Sequence, residues 1–199
     1  MQQSQTSTVA IATKILVQLV LLASCSPPGV AFPEVCVLAP HLERPNAVSP
    51  GIPLAQLPLS RPTLFIREPL VELRIEQGET LLWSWQALKV GAPLEGPLAW
   101  PLAAVKPRQT VTVRLRPFGA APEEFATIQL EGAPPQRMRD GDGLLHSLMG
   151  HPAAWRPAIE GLLAKGDHPL AMALLFASEG PNDPELHALR LLVAQQSCQ

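Results

Sequence analysis

The feature that most restricts this chain is a change of period. From Leu70 to Glu76, Val71, Leu73 and Ile75 fall on one face and Glu72, Arg74 and Glu76 on the other. A two-residue alternation is the period of a half-buried strand. It returns at Thr110–Arg116, where Val111, Val113 and Leu115 alternate with Thr112 and Arg114. After Gly132-Ala133-Pro134-Pro135 the apolar residues recur at helical spacing instead. A chain that reads as strands first and helices afterwards is expected to be mainly β with an α tail.

Further strand signals surround the two clear ones. Thr63–Arg67 is short, β-rich and bounded by prolines, Gln77-Gly78 makes a turn, and Glu79–Trp85 returns as a hairpin. A proline-broken stretch, Val90–Ala103, holds a short edge strand near Pro97–Trp100, and Glu124–Leu130 offers a last strand. Short strands at close spacing with turns between them predict an antiparallel immunoglobulin-like β-sandwich over 61–132. Over 136–199 the spacing predicts a small C-terminal helical bundle, with helices at Gln136–Met149, Pro152–Ala164, Leu170–Ser178 and Pro184–Gln196. Asp183 is the expected N-cap of the last, with Pro184 at its first position.

Ahead of the sheet lie two segments of another character. Lys14 precedes an apolar run, Ile15–Ala23, broken only by Gln18. That run is too short to span a bilayer and has the length of a signal-peptide core, so residues 1–31 are expected to direct export. Gly29-Val30-Ala31 suits cleavage before Phe32. Leu22-Ala23-Ser24-Cys25 suits lipoprotein processing, with acylation of Cys25 as a lipid anchor. Both exits stay open. The chain has 23 prolines, crowded between Pro27 and Pro69, and these mark 32–60 as an extended proline-rich linker, a spacer or a strap over the domain. With Cys25 removed or acylated, Cys36 and Cys198 remain, and an even remainder in an oxidising compartment points to a disulfide between them. Closing so long a loop would remove about 4–5 kcal/mol of unfolded-state entropy in the chain-entropy model.

The stretches Cys36-Val37-Leu38-Ala39-Pro40, Ser60-Arg61-Pro62-Thr63-Leu64-Phe65 and Arg114-Leu115-Arg116 resemble an uncharacterised family of exported cyanobacterial proteins over residues 36–130. The resemblance implies a β-sandwich and an envelope location, and carries no activity. Gly166-Asp167-His168-Pro169-Leu170-Ala171 is similar to the second helix of a tetratricopeptide repeat. Such repeats stack in threes or more, so one helical hairpin is the expectation here.

Catalytic and metal patterns fall short one by one. His41, His146, His151, His168 and His187 form no i, i+4 pair and no H-E-x-x-H motif, so no metal site is expected. Asp140-Gly141-Asp142-Gly143 begins like a calcium loop but lacks the later ligands, and reads as a turn or helix entry. There is no G-x-S-x-G elbow, and Ser84 lies between two tryptophans on a strand. Glu123 and Glu124 are adjacent and diverge, and no glycine-rich phosphate loop occurs. Arg61, Arg67, Arg74, Arg114 and Arg116 fall in strands beside Glu72, Glu76 and Glu79, and mixed signs cancel the field. With 16% charged residues and a net charge of −2, no nucleic-acid partner is expected, and no membrane contact beyond Cys25.

The expectation is a non-catalytic envelope protein without cofactor, exported to the periplasm or beyond, that binds or scaffolds another envelope protein. The alternative is an enzyme or carbohydrate-binding accessory module with a site at Trp83, Trp85 and Trp100. That would need the three indoles to line an exposed cleft with carboxylates nearby. A third arrangement, a partner helix docked along Leu170–Phe176, needs an exposed apolar groove there.

Overall fold

The computed structural model describes residues 35–43 and 51–196. The expected signal segment with Cys25, and Cys198, lie outside the described residues. Among the described residues there are seven strands: β1 (Val37–Ala39), β2 (Leu54–Leu57), β3 (Thr63–Gln77), β4 (Thr80–Gln86), β5 (Leu94–Ala99), β6 (Thr110–Pro117) and β7 (Ala126–Gly132). A single helical turn, α1 (Ala87–Val90), separates β4 from β5. After the sheet come α2 (Pro135–Met149), a 3-10 turn at Pro152–Ala154, α3 (Trp155–Ala164), α4 (His168–Leu175) and α5 (Pro184–Gln196).

All seven strands join one curled sheet, a half-barrel, in the order β1-β3-β6-β7-β2, with β4 and β5 also paired to β3. The mainly β chain with a helical tail is therefore as expected, whereas an immunoglobulin-like sandwich is not confirmed. A sandwich divides its strands between two packed sheets. Here the fifteen residues of β3 hold four partners and keep every described strand in one sheet. Leu70 stands opposite Leu94 of β5 on one edge and Pro117 of β6 on the other. By the same registers, β4 continues the edge of β5 and β1 continues the edge of β6.

The sequence suggested two strands around Pro69, and the structure has one. Proline costs a strand its donor, but the registers of β3 skip Arg67–Pro69, with a shift against β5 between Ile66 and Leu70. The Pro69 carbonyl is still used, accepting from the Phe118 N–H at 2.8 Å. The described residues of the 32–60 segment contribute β1 and β2 to the sheet. β2 lies parallel to β7, with Leu54 opposite Gln129 and Leu57 opposite Gly132. It thus works as a strap over the domain.

Two apolar cores result. Inside the curl, Leu64, Ile66, Leu70, Leu73 and Ile75 of β3 meet Val111, Val113 and Leu115 of β6, with Ala55, Leu57, Ile128 and Leu130. The second core joins the helices to the strap: Trp155, Ile159, Leu170, Leu174, Phe176 and Leu186 close over Leu38, Ala39 and Leu59. Phe65 meets Phe176 edge-on at 4.9 Å, and the Ser178 N–H donates to Thr63 Oγ1 at 3.1 Å. Leu170, Ala171, Ala173, Leu174, Leu175 and Phe176 are all buried there, so the groove that a docked partner helix would need is filled by the protein itself.

Local rules account for the helix ends. Asp183 Oδ1 accepts from the Glu185 and Leu186 N–H groups at 3.0 and 2.9 Å, as the capping signal predicts. Asp140-Gly141-Asp142-Gly143 is not a turn or helix entry but lies within α2. Gly141 faces the Pro58 carbonyl, and Asp142 Oδ1 accepts from the Ser60 N–H at 2.9 Å. The motif fastens α2 to the strap.

Candidate functional site

The outer face of the sheet is built around one buried charge. Glu72 is 3% exposed. Its neighbours across the strands are Gln86 on β4 and Arg116 on β6. Oε1 accepts from Arg74 Nε at 2.7 Å and Gln86 Nε2 at 3.0 Å, and Oε2 accepts from Arg116 Nε at 3.2 Å and Nη2 at 2.8 Å. Burial alone would raise the Glu72 pKa. Hydrogen bonds from Gln86, Arg74 and Arg116 outweigh it and hold the carboxyl below its ordinary value. Phe125 lies under both guanidiniums, 4.7 Å from that of Arg74 and 5.9 Å from that of Arg116. Arg114 pairs with Glu76 at 2.9 Å. The arginines of these strands are thus interleaved with glutamates.

Beside this cluster opens a cleft of about 540 Å³. Its floor is Val71, Gln86 and Arg116; its walls are Ala87, Leu88 and Pro93 on the β4–β5 side and Phe118, Gly119 and Ala120 after β6. The sequence alternation puts Val71 on the core face with Leu73 and Ile75. The structure corrects this: the register slips between Leu70 and Glu72, so Val71 and Glu72 both turn outward between the buried Leu70 and Leu73. The slip and the short helix α1 build the cleft. Its rim is apolar and uncovered, with Leu88 95% exposed and Phe118 70% exposed. Gly91 and Gly119 hold left-handed φ values of +85° and +88° in the two rim loops.

The tryptophans do not line the exposed cleft that the alternative reading requires. Trp83 and Trp85 do share a face, opposite Ile75 and Leu73, but it is the core face, and Trp83 packs on the inner core. Trp100 is 9% exposed and its Nε1–H donates to the Ala103 carbonyl at 3.0 Å. It lines a cavity of about 280 Å³ with Leu82, Leu102, Val105 and Val111, whose polar members are Lys106 and Gln109 and which contains no carboxylate.

The remaining candidates are dispersed. His41 and His168 approach, with ring centroids 6.3 Å apart. Burial first, then the His168 charge, lowers the His41 pKa against an opposing pull from Glu43. Among the described residues no three His, Cys, Asp or Glu side chains gather to hold a metal ion, and no helix is long and apolar enough to cross a membrane. Cys36 packs against the helical core, to which Val193 and Ala194 of α5 also belong. No family model matches the chain, and no curated protein or solved structure shows significant similarity to it.

Proposed function

We propose that this chain is an exported, non-catalytic envelope protein that binds another protein through the cleft between α1 and the β6–β7 loop. The observation that carries the reading is the uncovered apolar rim. A leucine and a phenylalanine so exposed, around a concave site with a fixed polar floor, cost solubility unless something covers them. The curled sheet fills its inside with its own core, as an immunoglobulin-like sandwich does. That leaves the outer face and its rim loops for contacts. Export rests on the signal segment, with release before Phe32 or acylation of Cys25 as its two exits.

Site-directed photocrosslinking in the native envelope tests this. A photoreactive residue at position 88 is expected to give a discrete protein adduct, abolished by Phe118→Asp. The same residue at position 192, on α5, is expected to give none. Equal labelling from both positions, or labelling at 88 indifferent to Phe118→Asp, would overturn the assignment.

A further inference from the structure

The cleft floor offers more than shape, because the buried carboxylate fixes the orientation of both its polar groups. An ionised carboxylate only accepts hydrogen bonds. Gln86 must therefore present its amide nitrogen to Glu72, which leaves its Oε1 turned away as an acceptor. Arg116 spends Nε and Nη2 on Glu72. Its Nη1 and the Gln86 Oε1 have no hydrogen-bond partner among the described residues. Both side chains line the cleft. The floor thus carries one donor and one acceptor, and the walls are apolar.

Resting on the protein-binding reading above, we propose that the cleft takes an apolar side chain of an extended peptide, with a backbone amide of that peptide bonded between Arg116 Nη1 and Gln86 Oε1. A peptide unit supplies one C=O and one N–H, the complement of this floor. A carboxylate is matched less well: Arg116 is already paired with Glu72, and the Gln86 oxygen would face it lone pair to lone pair. Side chains specify while backbone groups hold, as in other modes of extended-peptide recognition. The apolar anchor would sit between Leu88 and Phe118.

The test is an NMR titration of the processed full chain with a blocked, uncharged hexapeptide carrying a central leucine. The expected result is saturable shifts confined to Gln86, Ala87, Gly91 and Gly119, lost in Phe118→Ser. Methylation of the leucine amide nitrogen is expected to weaken binding about tenfold by removing the donor to Gln86. Leu88→Ser, at a site too exposed to affect folding, is expected to weaken it as well. An unaffected N-methyl peptide, or no shifts at the cleft, would overturn the proposal. N-acetylleucinamide binding as tightly as the hexapeptide would also overturn it, in favour of a small amide ligand. If position 88 crosslinks a protein in a Phe118-dependent way and the hexapeptide still gives no shifts, the protein-binding reading stands and the peptide mode alone falls.

Discussion

Gly141 of α2 lies against Pro58 so closely that a Cβ at that position would stand 2.2 Å from the Pro58 carbonyl oxygen. In an exposed helix interior, replacing glycine by alanine stabilises by about 1 kcal/mol. Here the sign reverses, because the obstruction is backbone. Gly141→Ala is expected to destabilise by about 2 kcal/mol, the cost of overpacking. The neighbouring Gly143, where a Cβ meets nothing, is expected to follow the ordinary rule. Urea melts of the two variants should move in opposite directions.

Removing the charge at Glu72 leaves Arg74 and Arg116 facing a neutral amide. Breaking a buried pair by changing one partner costs about 3 kcal/mol, and Glu72→Gln is expected at that level. Glu76→Gln breaks a more exposed pair with Arg114 and is expected to cost less than about 1 kcal/mol. Equal losses in chemical denaturation would mean that Glu72 does not organise this face.

Acid is expected to act in two stages. The His41 pKa is lowered in the folded state, so its contribution is complete above about pH 6.5, the unfolded value, and declines as the pH falls below that. His168 and Glu43 are the ionisable groups acting on it. The Glu72 pKa is also lowered, so its contribution is present above the unfolded carboxyl value of about 4.3 and is lost as the pH falls through the folded one. His41→Asn should flatten stability between pH 7 and 5 without altering the later acid limb. A single acid transition unchanged in that variant would refute the first stage.

The proposed bridge from Cys36 to Cys198 draws support from where the strap meets α5. Cys36 packs on the core that includes Ala194, and Cys198 follows four residues later. Intact mass of the mature chain is expected to show two alkyl groups added only after reduction. Alkylation of both thiols without reductant would refute the bridge.

Sequence showed the alternating strands and the last helix because each rests on local period and capping, whereas the helix expected at Leu170–Ser178 is His168–Leu175 and the one expected from Pro152 begins at Trp155 after a 3-10 turn. β6 was expected at Thr110–Arg116 and is Thr110–Pro117; α5 falls at Pro184–Gln196 with its Asp183 cap as expected. What it missed depends on partners far along the chain. Leu54–Leu57 has no strand signature strong enough to outweigh its prolines, and becomes β2 only because β7 lies ready beside it. Pro69 looked like a break because nothing local says that the pairings of β3 skip it. The cleft was invisible for the same reason. Val71 belongs to a perfect alternation, and only a register slip against β6 turns it outward. The arginines and glutamates of the outer face were legible as a mixed set. That Glu72 is the one buried among them was not.

The order within the strap also limits how far the protein can stray from its point of attachment. If Cys25 is acylated, as one of the two proposed exits has it, the free tether does not extend to Ser60, because Val35 and Cys36 already pack against the domain. The nine residues from Ser26 to Glu34 reach about 32 Å even when fully extended. The attachment point of the domain would then stay within that distance of the lipid surface, and the cleft could reach no further than that distance plus the breadth of the domain.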